Sequence, residues 1–201
     1  MSELRYTSRI TGCTILGPHR RAVIWVHGCC FSCPGCIASG FHAQSPHILS
    51  ADAMADWFLS LPDVEGLTIS GGEPMLQAAA LSDMLDRIRS QRDAGVIVYT
   101  GFTHEALPAR KDKDIDRLLA HTDLLIDGPY IREQDQGDYA RGSANQRLLN
   151  LSSRYLSDMD YYRQTKRDMQ IRIYDDHLLM VGVPSASQAN TWQALKDQLT
   201  P

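Results

Sequence analysis

Apolar residues along this chain fall into two alternating rhythms, short unbroken runs and repeats confined to one helical face. Ala22 to Val26 (AVIWV) is a continuous run, which suits a strand buried on both faces. Ser50 is placed to cap a helix, in which Met54, Trp57, Phe58 and Leu61 recur at i, i+3, i+4 and i+7. Gly66 to Ser70 (GLTIS) predicts a second strand. Pro74 stands where a first helical residue belongs, and Leu81, Met84, Leu85 and Ile88 give the following helix its apolar face. Val96 to Thr100 (VIVYT) predicts a third strand, ended by Gly101. Ile115, Leu118 and Leu119 mark a further helix, and Leu124 to Ile126 a fourth strand before Asp127-Gly128-Pro129. Strands alternating with helices predict an α/β fold with a parallel sheet, right-handed crossovers and a site at the strands' C-terminal ends.

The two ends of the chain leave this alternation. Leu4 to Ile15 alternates loosely and stops at Gly17-Pro18, which predicts a short N-terminal strand pair. Gln170 to Val183 predicts an antiparallel pair around Asp175-Asp176, and Thr191 to Leu199 a closing helix. Four or five parallel strands are too few to close a barrel. The expected architecture is therefore a partial, open (βα) barrel with a short N-terminal strand pair and a C-terminal strand pair plus helix. No repeat or linker divides the 201 residues, so a single domain over 1–201 is expected, with a core at roughly 12–150 and an extension at 151–201. Tyr155, Tyr161 and Tyr162 in that extension are expected to cover the open side or to form a docking surface.

Composition narrows the function classes. Lys plus Arg number 20 against 24 Asp plus Glu, a formal charge of −4, which argues against a nucleic-acid or anionic-membrane binder. No apolar run approaches ~18 residues, and the N-terminal MSELRYTSRI lacks an apolar signal core, so a cytoplasmic protein is expected.

Four of the five cysteines lie in Gly28-Cys29-Cys30-Phe31-Ser32-Cys33-Pro34-Gly35-Cys36. In a reducing compartment crowded cysteines are more often metal ligands than disulfides, and an odd total excludes a complete disulfide framework. A zinc site would need partners such as His42 and His47 to reach four ligands. A C-x3-C-x2-C loop is better suited to one [4Fe–4S] cube, each thiolate taking one iron and the fourth iron staying open to a substrate or cofactor. Cys13, alone upstream, reads as a small buried residue.

Cys29, Cys33 and Cys36 fit the C-x3-C-x2-C signature, and here the sequence resembles the radical S-adenosylmethionine superfamily. The register Cys30, Cys33, Cys36 does not match it, which leaves Cys30 surplus and expected on the loop's underside. The predicted strand Leu67–Ser70 runs into Gly71-Gly72-Glu73-Pro74, like that superfamily's Gly-Gly-Glu element. Its glycines would let a ligand's amino group approach the backbone, and Glu73 would meet the methionine ammonium. On that reading Gly72→Val should block S-adenosylmethionine while leaving the cluster intact.

The likeness extends through Cys33-Pro34-Gly35-Cys36, Tyr99-Thr100-Gly101-Phe102, Ile126-Asp127-Gly128-Pro129-Tyr130 and Arg141-Gly142-Ser143-Ala144-Asn145-Gln146, in this order. Over roughly residues 12 to 150 the chain is similar to the activating enzymes of glycyl radical enzymes, of the anaerobic ribonucleotide reductase type. It departs from them at Gly17-Pro18-His19-Arg20-Arg21, where the family has Gly-Pro-Gly-x-Arg.

The resemblance implies a reaction. A low-potential donor such as flavodoxin or ferredoxin reduces the cluster, S-adenosylmethionine is cleaved to methionine and a 5′-deoxyadenosyl radical, and a glycine Cα of a partner glycyl radical enzyme loses hydrogen. It implies Cys29, Cys33 and Cys36 as cluster ligands, Gly71, Gly72 and Glu73 at the methionine moiety, and the backbone of Gly35 and Ile37 at the adenine. Thr100 and Asp127 end predicted strands, where cofactor-facing residues belong, though Asp127 equally suits a turn cap. Arg141, Asn145 and Gln146 are assigned to the cofactor end or a partner surface. His27 reads as a supporting donor or a satisfied core histidine, and Arg110 to Asp116 as a solvated helix face. No later cysteine group exists for auxiliary clusters, so one cluster is expected. Two alternatives stay open: a radical enzyme acting on a peptide or small molecule, and an Fe–S electron carrier or structural module, which would have no use for the Gly-Gly-Glu turn.

Overall fold

A computed structural model describes residues 2–42, 44–135, 140–164, 167–175 and 177–199. Its largest feature is a seven-stranded sheet of β1 (Glu3–Cys13), β2 (Arg21–Val26), β3 (His47–Ser50), β4 (Gly66–Gly71), β5 (Gly95–Tyr99), β6 (Leu124–Asp127) and β7 (Arg147–Asn150), ordered β3-β1-β2-β4-β5-β6-β7. The central β2, β4, β5 and β6 are parallel, as their continuous apolar runs imply. Antiparallel strands flank them on both sides. The sheet is mixed and open, with β3 and β7 at its edges, and among the described residues it does not close into a barrel.

The N-terminal strand pair expected over Leu4–Ile15 is instead one strand of 11 residues. A hairpin needs turn chemistry, and the segment Leu4 to Thr11 carries no Gly, Pro, Asn or Asp. Its loose alternation reflects shifts in register against β2, between Tyr6 and Ser8 and between Ile10 and Cys13. Two four-residue strands, β3 and β7, had no sequence signature of their own.

Helices α1 (Ser39–His42), α2 (Ala51–Leu59), α3 (Ala78–Arg89), α4 (Lys113–His121), α5 (Met159–Gln164) and α6 (Ala186–Leu199) complete the main body. Ser50 caps α2 as expected, its Oγ accepting from the Ala53 N–H at 3.1 Å, while Leu61 lies past the helix end. Pro74 opens a 3-10 turn over Pro74–Gln77 rather than the helix itself, and α3 then buries Leu81, Met84, Leu85 and Ile88. The closing helix begins at Ala186, earlier than its apolar pattern suggests.

One face of the sheet, including Ala22, Ile24, Val26, Leu67, Ile69, Val96, Val98 and Leu125, packs against α2, α3 and α4. The C-terminal segment covers the other face. The expected antiparallel pair forms as β8 (Met169–Ile173) and β9 (Leu178–Gly182), and Leu179 and Val181 pack on Val23, Trp25 and the buried Cys13. Tyr155 and Tyr162 pack on Ile97, Leu124 and Ile126. Each such apolar side chain contributes about 1.5–3 kcal/mol when fully buried. The Tyr161 side chain lies outside the described residues.

At the N-terminal ends of the parallel strands the Arg21 side chain is 0% exposed. Its Nε donates to Thr68 Oγ1 at 2.8 Å, Nη1 to Glu65 Oε2 at 2.7 Å and Tyr155 Oη at 2.6 Å, and Nη2 to the carbonyls of Leu67 and Gly95. The Tyr155 hydroxyl donates in turn to Glu65 Oε2 at 2.8 Å, and burial pushes its pKa upward. No helix of the described residues is long and apolar enough to cross a membrane.

Candidate functional site

At the opposite end of the same strands, β2 runs into the cysteine loop and β4 into Gly71-Gly72-Glu73. Backbone bonds zip the two turns together: Gly72 N donates to Val26 O at 2.7 Å, and Glu73 N to Gly28 O at 2.8 Å. A Cβ on Gly72 would overlap the Gly28 carbonyl. Glycine is thus required here by the chain's own cysteine loop, before any ligand is considered.

Glu73 is 1% exposed. Its Oε1 accepts from Met75 N at 2.9 Å and Thr100 Oγ1 at 2.8 Å, and its Oε2 from Gly101 N at 2.8 Å. Burial raises its pKa above the usual carboxylate range, against the pull of these donors and of Arg110. A carboxylate offers about four lone-pair sites, so three donors leave room for one more. Thr100 is buried at the end of β5, where its hydroxyl reaches Glu73.

Cys29, Cys33 and Cys36 are half-buried on one loop, while Cys30 is exposed and does not pack beneath it. The exposed position follows from the loop's fold, in which Phe31 is the side chain that turns inward against Gly101. Cys36 N donates to Cys33 O at 3.1 Å and Ser39 N to Cys36 O at 3.1 Å, a tight turn around the third cysteine. Phe31 N donates to Cys29 Sγ at 3.4 Å. Burial first, and then neighbouring negative charge, raises the Cys29 and Cys36 thiols: Glu73, Cys30 and Cys36 act on Cys29, and Cys33 acts on Cys36. Burial is the larger cause in both cases, and thiols held neutral in this way would ionise only with a cationic partner such as an iron–sulfur core. Among the described residues no three His, Cys, Asp or Glu side chains gather tightly enough to cage one metal ion. A cube presents its irons at separate corners, so thiols spread along a loop fit it better than they fit zinc. His42, one of the two zinc partners considered, has a side chain outside the described residues, and His47 lies on β3.

Ile37 is 54% exposed beside the third cysteine. Gly35 has φ +78°, and the Arg132 guanidinium packs over it, 2.9 Å from where a Cβ would sit. Arg110, read in the sequence as part of a solvated helix face, precedes α4 and lies over the Phe102 ring at 4.7 Å. Burial raises the pKa of both Cys30 and Glu73, and the Arg110 charge opposes that rise. Sequence spacing gave no sign of either arginine, because each reaches the loop from a distant segment. His27 contacts Thr7 Oγ1 through Nδ1 at 3.3 Å, and its backbone is held by Arg5 and Gln77.

Asp127, at the end of β6, is buried and engaged with other protein groups. Its Oδ2 accepts from His104 N at 2.7 Å, and both oxygens pair with Arg147, which also clasps Glu105. Asn145 Nδ2 donates to Pro129 O at 2.8 Å and Gln146 Nε2 to Gly128 O at 2.9 Å. Gln146 Oε1 accepts from Gly142 N at 2.7 Å, and Arg141 Nη1 donates to Gln146 O at 2.9 Å. The Arg-Gly-Ser-Ala-Asn-Gln stretch therefore braces the Asp-Gly-Pro-Tyr loop, and Ala144 N–Gln134 O, at 2.7 Å, ties it to the segment carrying Arg132. The structure gathers the cysteine loop, the Gly-Gly-Glu turn and Thr100 into one cluster, and joins Asp127, Arg141, Asn145 and Gln146 in a bracket beside it.

Residues 15–149 match the family described as a 4Fe-4S single cluster domain. The chain is 34% identical over 139 residues to the anaerobic ribonucleoside-triphosphate reductase-activating protein of Vibrio cholerae, covering 65% of this chain and 87% of that protein. The protein of the same name from Haemophilus influenzae is also 34% identical, over 66% of this chain and 88% of its own length. A pyruvate formate-lyase-activating enzyme from Staphylococcus epidermidis is 29% identical over 178 residues, covering 85% of this chain and 66% of that enzyme.

Proposed function

We propose that this chain, which belongs to the 4Fe-4S single cluster domain family and to the radical S-adenosylmethionine activating proteins within it, generates a glycyl radical in a partner enzyme. When bound and reduced, its cluster supplies the electron that splits S-adenosylmethionine into methionine and the 5′-deoxyadenosyl radical that takes hydrogen from the partner's glycine. In our reading Cys29, Cys33 and Cys36 would hold the cluster by three of its irons and leave the fourth free for S-adenosylmethionine. Glu73 has one acceptor position left for the methionine ammonium, and Thr100 and Gly101 keep its carboxylate from rotating away. Gly71 and Gly72 form the floor of that subsite, and Gly35 and Ile37 flank the adenine. Asp127 acts by anchoring Arg147 and the His104 backbone, and Arg141, Asn145 and Gln146 by shaping the loop that carries Arg132 to Gly35.

The observation that carries the reading is the backbone zip between the cysteine loop and Gly72-Glu73. It holds a buried carboxylate next to a three-thiol loop, and that supports reading Glu73 as the amine-binding group, which an electron carrier does not need. Exposure of Ile37 and Cys30 favours a protein substrate over an enclosed small one, since the extension covers the inner sheet face through Leu179, Val181 and Tyr162 and leaves these residues open. We further take the chain as one domain over 1–201 with a partial-barrel curvature. We take it to be a cytoplasmic protein served by a flavodoxin- or ferredoxin-type donor, without a nucleic-acid or membrane partner.

Anaerobic incubation with S-adenosylmethionine, a reductant and a candidate glycyl radical enzyme from the same organism tests the proposal. Release of 5′-deoxyadenosine together with a glycyl radical signal is expected. Deoxyadenosine release that depends on a small molecule or short peptide, with no radical in the enzyme, would replace the activase reading.

A further inference from the structure

The stretch between Cys29 and Cys33 contains a single apolar side chain, Phe31, and its surroundings are unusual for a loop. Its ring lies against Gly101, where a Cβ would come within 2.6 Å of a ring carbon. It meets the Phe102 ring edge-on, with centroids 4.9 Å apart and planes at 65°. Phe102 in turn lies under the Arg110 guanidinium. Gly101 is also the residue whose N–H holds Glu73 Oε2, and Glu73 N is bonded to Gly28 O at the foot of the cysteine loop. These contacts close a ring: Gly28 to Glu73, Glu73 to Gly101, Gly101 to the Phe31 ring, and Phe31 back through the loop to Gly28. Phe31 N also donates to Cys29 Sγ, so the residue whose ring is seated on Gly101 also supplies a donor to a proposed cluster ligand. Ser32 and Pro34 are exposed and supply no comparable anchor.

We propose that Phe31, seated on Gly101, is a positioning residue that sets the spacing of Cys29 and Cys33 for the cluster and couples this arch to Glu73. The inference rests on the cluster reading above. An exposed loop of three thiols would otherwise sample many shapes, and thiolate ligands hold a cluster only when their supports fix them. The glycine at 101 is then a size requirement: only without a Cβ does the Tyr-Thr-Gly-Phe turn accept the ring.

The test uses the full-length protein, purified without oxygen and reconstituted with iron and sulfide. Iron content, the electron paramagnetic resonance signal of the reduced cluster and the rate of cluster loss to a chelator are compared for wild type, Phe31→Ala, Phe31→Leu, Gly101→Ala and the double variant Phe31→Leu/Gly101→Ala. Thermal unfolding of the cluster-free chains reports the fold. Wild type should bind about four irons. Phe31→Ala and Gly101→Ala should lose the cluster about tenfold faster or more and shift its signal, as lost ligand supports do. Phe31→Leu should recover part of the difference, and the double variant should hold the cluster better than Gly101→Ala alone, because the smaller side chain makes room for the methyl group. Wild-type signal and loss rate in Phe31→Ala would overturn the proposal, as would losses that follow the unfolding temperature with no recovery in Phe31→Leu. A wild type that binds no cluster would instead overturn the cluster reading, and this inference with it.

Discussion

The same four parallel strands end in two opposite chemical styles. At their N-terminal ends a wholly buried guanidinium, a glutamate, a threonine, a phenol and two carbonyls satisfy one another around Arg21. At their C-terminal ends three thiols are half-buried, and burial raises the pKa of Cys29, Cys36 and Glu73. One end is complete without a ligand, and at the other burial disfavours the charged forms of the groups proposed to meet one. Stability and chemistry are thus separated along a single strand direction, as parallel α/β sheets allow.

Thiol substitutions should separate the two ends most sharply. Cys29→Ser, Cys33→Ser and Cys36→Ser are each expected to abolish cluster binding and activity while the cluster-free chain unfolds as wild type. Cys30→Ser should keep about four irons per chain. Iron analysis after reconstitution decides this, and loss of the cluster in Cys30→Ser but not in Cys29→Ser would move the ligand register by one residue.

Gly72→Val comes next. The sequence suggested that it would block S-adenosylmethionine and spare the cluster, but its side chain would strike the Gly28 carbonyl. The expected outcome is loss of both, read from iron content and from spectral titration with S-adenosylmethionine. A full iron complement in this variant would show that the zip between the two turns is dispensable.

At the other end, Arg21→Met should destabilise the chain by about 3 kcal/mol, because it removes the donor to the buried carbonyls of Leu67 and Gly95, while Glu65 keeps Tyr155 and Arg154. Tyr155→Phe removes one hydroxyl and should cost about 1–2 kcal/mol. Urea unfolding measures both, and the folded fraction should still bind a full cluster. Iron loss at wild-type stability would show that the two ends communicate.

The smallest effect concerns pH. The folded-state pKa of Glu73 is raised, so the native chain binds that proton more tightly than the unfolded chain does. Its contribution favours folding below the ordinary value of 4.5 and is lost as pH rises through the native value. The stability of the cluster-free wild type relative to Glu73→Gln should therefore fall on going from about pH 4 to about pH 8. Subtracting the variant removes the acid-side contributions of Asp83 and Asp86, whose pKa values are lowered. A difference that rises with pH would mean that Glu73 is already paired with a cation.

The parallel strands were legible because strands buried on both faces must be continuously apolar, and the helices because one apolar stripe has to meet the sheet. Short edge strands were not, since Ile48-Leu49 and Leu148-Leu149 are too brief to carry a period. The cysteine motif and Gly-Gly-Glu turn were visible as local spacing. What they require of each other was not: Gly72 needs its missing side chain because of Gly28, and Gly101 because of Phe31. Thr100 was read as facing the cofactor and turns out to grip Glu73, a contact between residues 27 positions apart. Arg21 stood out only within the Gly17-Pro18-His19-Arg20-Arg21 departure, and Glu65, 44 positions on, and Tyr155, 134 positions on, explain its burial.

That last separation sets a clock during synthesis. At about 5–20 residues per second, Tyr155 leaves the ribosome roughly 7–27 s after Arg21, the two being 134 positions apart. Every motif of the cysteine end, through Gln146, emerges within that interval. A nascent chain therefore carries its whole iron-binding apparatus while the guanidinium at the far end of the same strand is still hydrated, and the tyrosine that seals it arrives only after the last motif has been made.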